Sequence, residues 1–259
     1  VLIVLPPSES KRPPGRRGAP VDLAGLSFPE LTPTRERVLD ALVATSASPD
    51  ALARLMVGPS VAPEVVRNTR IRDLPARPAL EVYSGVLYDA LSAGTLGAAA
   101  RRRAARGVVV VSGLWGAVRP TDRIPPYRLN VCGRLIGMPA LEPLWREVLP
   151  PALVAAAGPR GVVVDCRSST YVAMGMPRAL ADRTVAIRVL RDEDGRRSAV
   201  SHMAKHTRGL VARHLLEAAA DPRTPEGLAE AVADRWPVEL TPPVRVGAPW
   251  TLAVVVAAG

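Results

Sequence analysis

Lysine is almost missing from this chain: of 34 basic residues only Lys11 and Lys205 are lysine, the rest being arginine. Cysteine is equally scarce. Cys132 and Cys166 are the only two, too few for a disulfide framework and without the close Cys or His companions of a zinc site. A reduced, intracellular chain with no metal and no cofactor is the expectation. The apolar opening at residues 1–5 is too short for a signal-peptide core or a membrane span, and it ends in Pro6-Pro7 rather than a small-residue cleavage site. The protein is therefore expected to be cytoplasmic, without a membrane partner, and monomeric.

What is present points to a packed domain. The 259 residues, 48% of them apolar, suffice for a substantial core, and no repeat or linker divides them, so a single domain over residues 1–259 is expected. The formal charge of +10, with a cluster at Arg101, Arg102, Arg103 and Arg106, favours polyanionic partners such as DNA, a nucleotide-like anionic ligand or anionic lipid. An Ala/Arg/Pro-rich composition accounts for part of that excess. Against this background a surviving lysine carries information. An ammonium is a compact charge whose proton can be removed by burial, so it serves as base, Schiff-base nucleophile or phosphate contact, whereas guanidinium stays protonated.

Apolar β-branched runs alternate with longer helical patterns, which predicts an α/β fold with a mixed central sheet covered by helices. Strands are expected at residues 1–5, 108–111, 162–165, 184–190 and 250–257. Helices are expected at 34–47 (capped by Thr34), 49–56, 86–91, 96–106, 140–157 with an interruption at Pro150-Pro151, 171–180, 201–219 and 225–235. Residues 192–195 read as a hairpin turn, and residues 11–20 as a loop.

Chemistry-bearing residues gather in five places. The first, Leu5-Pro6-Pro7-Ser8-Glu9-Ser10-Lys11, leaves the end of a strand, where open α/β sheets bind ligands. Ser8, Glu9 and Lys11 there can position and deprotonate a substrate, or simply cap a turn and form a solvated pair. In the second, Tyr83 to Asp89, Gly85 permits close approach of a backbone or ligand, with aromatic packing as the plain alternative. The third runs from Ser112 and Gly113 through Arg119, Asp122, Arg123 and Tyr127 to Arg128 and Leu129, and joins free backbone N–H groups to guanidinium forks suited to phosphate. In the fourth, Asp165 to Tyr171, Ser168 and Ser169 stand at a helix start, as an anion site or as its N-cap. The fifth opens the 201–219 helix, where His202, Lys205, Arg208 and Gly209 share one side and Met203, Leu210, Val211 and Leu215 the core side; the alternative is a solvated basic face.

Together these segments resemble the YaaA family of bacterial peroxide-stress-response proteins. The resemblance rests on Ser8-x-x-Lys11, Tyr83-x-Gly85, the block Ser112-Gly113-Leu114-Trp115-Gly116, Arg119-Pro120-x-Asp122 and Pro126-Tyr127-Arg128-Leu129, and Ala204-Lys205-x-x-Arg208-Gly209. Both lysines fall on its motif positions. The resemblance implies an intracellular α/β protein with a deep basic cleft, associated with peroxide resistance, lower free iron and protection of DNA, and with duplex-DNA binding through a helix-hairpin-helix element. No Gly-x-Gly hairpin of that kind is visible in this chain.

Two function classes remain open. In the binding reading, Arg119, Arg128 and Arg208, with Ser112, Gly113, Tyr83, Tyr127, Ser168, Ser169 and His202, line a cleft that holds DNA through its phosphates. In the enzyme reading, the cleft takes a nucleotide or nucleobase-like molecule, with Lys205 or Lys11 as nucleophile or base, Glu9 or Asp122 as proton partner and Ser8 beside them. A lysine-dependent DNA glycosylase or lyase combines the two.

Overall fold

The computed structural model describes residues 1–193, 196–199, 202–219 and 221–257, without the side chains of residues 196, 199, 202 and 257. Its strands are β1 (Leu2–Leu5), β2 (Arg77–Pro78), β3 (Val108–Ser112), β4 (Gly116–Val118), β5 (Arg123–Ile124), β6 (Val163–Asp165), β7 (Thr184–Glu193), β8 (Arg196–Ala199), β9 (Val238–Thr241) and β10 (Trp250–Ala257). The helices are α1 (Thr32–Ser46), α2 (Ala51–Arg54), α3 (Ala62–Asn68), α4 (Ala79–Val82), α5 (Val86–Leu91), α6 (Ala98–Gly107), α7 (Leu141–Ala157), α8 (Ser169–Val172), α9 (His202–Glu217) and α10 (Pro225–Ala233).

The fold is α/β with a mixed sheet in the order β4-β3-β1-β6-β7-β10-β9, β8 pairing with β7. Strands β3, β1, β6, β7 and β10 run parallel, while β4, β8 and β9 pair antiparallel with their neighbours. Every residue of β1, β3 and β6 is buried, so both faces of the sheet centre are covered. That explains why these strands read as unbroken apolar runs. Because β1 lies between two strands that come later in the chain, Ile3 pairing with Val108 on one side and Val164 on the other, the order reverses beside it. Ligand crevices in open α/β sheets lie at such a point, beyond the carboxyl ends of the strands.

Several local expectations are corrected. Helix α1 starts at Thr32 directly after a 3₁₀ turn at Pro29–Leu31, with Pro33 in its first turn, so Thr34 is a buried helical residue and not the cap. Helix α7 runs through Pro150 and Pro151 without interruption. These prolines remove two N–H groups from the helical ladder, and Pro150 packs so closely on Gly175 that a Cβ there would lie 3.2 Å from the ring. The helix expected at 171–180 is only α8 followed by a separate 3₁₀ segment, Arg178–Arg183, because Gly175 adopts φ 140 and Pro177 follows it. Strands β4 and β9 and helices α3 and α4 were not anticipated. Part of the 192–195 turn and Ser201 lie outside the described residues, but the flanking strands pair antiparallel as a hairpin requires, from Leu190↔Ala199 to Glu193↔Arg196.

Among the described residues no helix is long and apolar enough to cross a membrane. Buried Arg35 on α1 ties the third block to the core. It donates to the carbonyls of Trp115 at 2.9 Å, Ser27 at 2.7 Å and Ala117 at 2.6 Å.

Candidate active site

The loop after β1 is laid against the segment that leads into α5. Lys11 forms an isolated antiparallel bridge with Tyr83, reinforced by Arg12 N–H to the Val82 carbonyl at 2.8 Å and Ser84 N–H to the Ser10 carbonyl at 3.2 Å. Tyr88 donates its hydroxyl to the Pro6 carbonyl at 2.7 Å. Gly85, at φ 95, leaves room for Ser8, whose Oγ would lie 3.2 Å from a Cβ at that position. The close approach expected of this glycine is thus made by the chain's own loop.

Helix α9 is brought up against α5 by another glycine. A Cβ on Gly209 would stand 2.2 Å from the Leu87 carbonyl oxygen, so only hydrogen fits there. Gly209 consequently faces α5 and is buried, while Lys205 and Arg208 reach a cavity of about 280 Å³ between α9, the loop after β1 and the start of α8. Its other walls include Ser8, Glu9, Ser10, Tyr88, Ser168 and Tyr171. A second cavity, of about 340 Å³, shares Glu9, Ser168 and Tyr171 with the first and extends past Met56, Cys132 and Thr170.

Lys11 stands behind this wall. It does not line the cavity; its ammonium donates to the Ser8 carbonyl at 2.7 Å and reaches the Glu9 carbonyl at 3.4 Å. The charge lies 4.0 Å from the Tyr127 ring centroid and 5.7 Å from that of Tyr83. Burial pulls its pKa from 10.5 down to about 7; the Glu9 carboxylate opposes the shift, Arg128 adds to it and Glu64 opposes it. Tyr83 and Tyr127 face each other with hydroxyls 3.0 Å apart, and burial pushes Tyr83 up to about 12 and Tyr127 well above its ordinary value. Both remain neutral phenols at physiological pH and offer Lys11 ring faces rather than a counter-charge.

Arg128 braces the same wall. Its guanidinium lies 3.4 Å from the Glu9 carboxylate and 3.5 Å from that of Glu64, and it donates to the Glu9 carbonyl at 3.2 Å. Asn68 holds the Arg128 backbone from both sides, at 2.9 and 2.8 Å. On the other wall, fully buried Arg167 forms a bidentate pair with Asp165, at 2.9 and 2.8 Å, and donates to the Tyr171 and Gly175 carbonyls, both at 3.1 Å. That clamp sets where Ser168 and Tyr171 stand. Cys166, between Asp165 and Arg167 in the chain, is pushed up to about 12, chiefly by burial, and remains a thiol. Arg208 is oriented by donating from Nε to the Ile187 carbonyl at 3.1 Å.

The structure therefore brings together Ser8, Glu9, Ser168, Lys205 and Arg208 around one cavity, with Lys11, Tyr83, Tyr127 and Arg128 packed behind the loop. It does not bring Asp122, Arg119, Ser112 or Gly113 to that cavity. Asp122 accepts from the Arg119 N–H at 2.8 Å and from Ser27 N–H and Oγ at 3.2 and 2.8 Å, and so closes a turn. Arg119 stacks 5.4 Å from the Phe28 centroid and donates to the Arg106 carbonyl. Ser112 is buried and accepts from the Trp115 N–H at 3.0 Å, and the Gly113 carbonyl accepts from the Trp145 indole at 2.8 Å. Ser169 is exposed at the start of α8, and the His202 side chain lies outside the described residues. Glu64, Asn68 and Arg167 were missed, since each acts through a partner that only the tertiary fold supplies. Tyr88, inside the second motif and five residues from Tyr83, was within reach of sequence reasoning. Among the described residues no group of three or more His, Cys, Asp or Glu is placed to hold a metal ion.

A family model described as peroxide stress protein YaaA matches residues 1–239. A UPF0246 protein of Streptomyces coelicolor is 46% identical over 260 residues, covering 99% of this chain and 98% of the relative. A UPF0246 protein of Corynebacterium efficiens is 41% identical over 261 residues, covering 99% and 100%. With the family model matching residues 1–239 and both relatives matched over 99% of the chain, the chain belongs to the YaaA peroxide stress protein family.

Proposed function

We propose that the cavity between the loop after β1 and α9 binds a nucleotide or nucleobase-like anionic molecule, on which this family member acts with the help of a lysine. The observation that carries this reading is the joint placement of Lys205 and Arg208 on a hydroxyl-rich cavity of about 280 Å³. That volume is close to the lower end of small-ligand pockets, roughly 300–1,000 Å³, and far below what a DNA duplex occupies. Lys205 and Arg208 hold the anionic group, the Ser8, Ser10 and Ser168 hydroxyls hydrogen-bond the polar body, and Glu9 is the proton partner. Lys205 is the lysine at the ligand. Lys11 works from behind, fixing the Ser8–Ser10 backbone and the charge beside Glu9.

The test is substitution of lysine by arginine. If Lys205 only grips an anion, Lys205→Arg loses little nucleotide affinity by calorimetry, about 1 kcal/mol. If it is the nucleophile or base, Lys205→Arg folds and binds yet is as inactive as Lys205→Ala, and borohydride traps the wild type on a carbonyl-bearing or abasic substrate but not the variant. No nucleotide binding by the wild type would defeat the reading.

A second reading is favoured by the exposed Arg101, Arg102 and Arg106 on α6 together with the formal charge of +10. In it the protein covers duplex DNA through phosphate contacts, without sequence preference, and thereby limits iron-dependent damage during peroxide stress. Gel-shift or anisotropy titrations on unrelated duplexes at several salt concentrations test it: affinity is equal across sequences and falls steeply with salt.

A further inference from the structure

Within the nucleotide-like reading, on which this inference rests, we propose that Glu9 is the specificity-determining residue, reading a hydrogen-bond-donor edge such as the exocyclic amine of a nucleobase whose anionic end sits on Lys205 and Arg208. Lys205 and Arg208 border the first cavity only, whereas Glu9 borders both cavities. A ligand anchored on the cations and longer than the first cavity must pass Glu9. The Glu9 side chain is 46% exposed and its carboxylate is held from behind by Arg128 at 3.4 Å, a geometry that fixes its direction without enclosing it. An ionised carboxylate accepts hydrogen bonds and has none to give, so it favours amino groups and ring N–H groups and disfavours carbonyl oxygens.

The second cavity fits that assignment. Among the described residues no Lys or Arg lines it; beyond the shared residues it offers Met56, Val131 and the Thr170 hydroxyl. Asn130 contributes little, because its amide is already committed to the Leu55 carbonyl at 3.2 Å and the Cys132 N–H at 2.8 Å. A second phosphate has no cation there, whereas a flat, weakly polar base edge finds apolar contact and acceptors. Recognition by Glu9 follows the same physics by which a carboxylate reads the amino group of cytosine, where a good pairing discriminates by about 1–3 kcal/mol, or roughly five- to 150-fold.

The experiment compares nucleoside monophosphates in which an exocyclic amino group is replaced, by a carbonyl oxygen from CMP to UMP and by hydrogen from GMP to IMP, by calorimetry on the wild type and on Glu9→Gln. The expected result is at least tenfold tighter binding of the amino-bearing member of one pair, falling toward parity in Glu9→Gln, whose amide can both donate and accept. Equal affinities in both wild-type pairs, or a preference unchanged by Glu9→Gln, overturns the inference while leaving the nucleotide site intact. Failure of all four nucleotides to bind overturns the nucleotide reading itself. Cys132 supplies an independent reporter of orientation, being an exposed free thiol on the second cavity. Bound CMP or GMP should slow its alkylation by a maleimide, and alkylation at the same rate with the site saturated overturns the placement of the base past Glu9.

Discussion

Replacing Lys11 by methionine should convert a pH-dependent contribution to stability into a flat one. The folded protein holds the Lys11 proton with a pKa of about 7, because burial lowers it from the ordinary 10.5. Between these values the unfolded chain binds a proton that the folded chain has released, so the stability of the wild type rises with pH across that window. Below pH 7 both states are charged and the folded state carries the whole cost of burying the ammonium. Above 10.5 both are neutral and that cost is gone. At 1.36 kcal/mol per pH unit, the full cost is about 5 kcal/mol, and the part recovered between pH 6.5 and 10 is about 4 kcal/mol. Methionine keeps most of the stem and its contacts with Tyr83 and Tyr127 but leaves the Ser8 carbonyl without its donor, a pH-independent loss of about 1–3 kcal/mol. The assay is urea unfolding of wild type and Lys11→Met at intervals from pH 6.5 to 10. Taking the difference between the two proteins removes the common contribution of other titrating groups. The variant should gain relative to the wild type at the acid end, and the difference should move by about 4 kcal/mol in favour of the wild type by pH 10. A difference that stays constant would refute the claim that this ammonium is desolvated.

Gly209→Ala should destabilise by about 3 kcal/mol or separate α9 from α5, seen as a lowered unfolding midpoint, since the added carbon meets the Leu87 carbonyl at 2.2 Å. Arg167→Leu leaves Asp165 buried without its partner and should cost about 3–5 kcal/mol in denaturant unfolding, whereas the double variant Asp165→Val/Arg167→Leu should recover much of it. Charge reversal of Arg101 and Arg102 should weaken any DNA binding equally for unrelated duplexes, each lost phosphate contact lowering the logarithmic salt slope by about 0.9. Loss confined to one sequence would contradict a backbone-only contact.

The sheet was legible because its central strands are buried on both faces and so announce themselves as valine runs such as residues 108–111. Helix α7 was legible in extent but not in continuity, because Pro150 sits inside it packed against Gly175, a residue 25 positions away. At the site, Ser8, Glu9 and Lys205 were readable since they follow a strand or open a helix, where side chains face a crevice. The third block was readable as a compact structured loop, yet Asp122 and Arg119 are used up in folding it and stand off from the cavity. No spacing rule reveals that Asn68 orients Arg128 or that Arg167 turns back on Asp165. Nor does one reveal that Lys11 supports the wall of the cavity and does not line it. Those relations depend on which loops the sheet order places side by side.

That order has a consequence for biogenesis. Strand β1 precedes the other described strands in the chain, yet both of its edges are covered by much later chain, Ile3 pairing with Val108 and with Val164. At ribosomal speeds of about 5–20 residues per second, the Leu2–Leu5 segment waits roughly 5–20 s for its first neighbour, and longer for the second. During that interval four apolar residues and their unpaired N–H and C=O groups are available to any other exposed strand. The short length of β1 and the Pro6-Pro7 pair that ends it limit how far such a mispairing can spread. The nascent protein should thus be at its most aggregation-prone before β6 emerges, and a ribosome stalled between β3 and β6 should carry a chain that engages chaperones and lacks the cavity between α9 and the loop after β1.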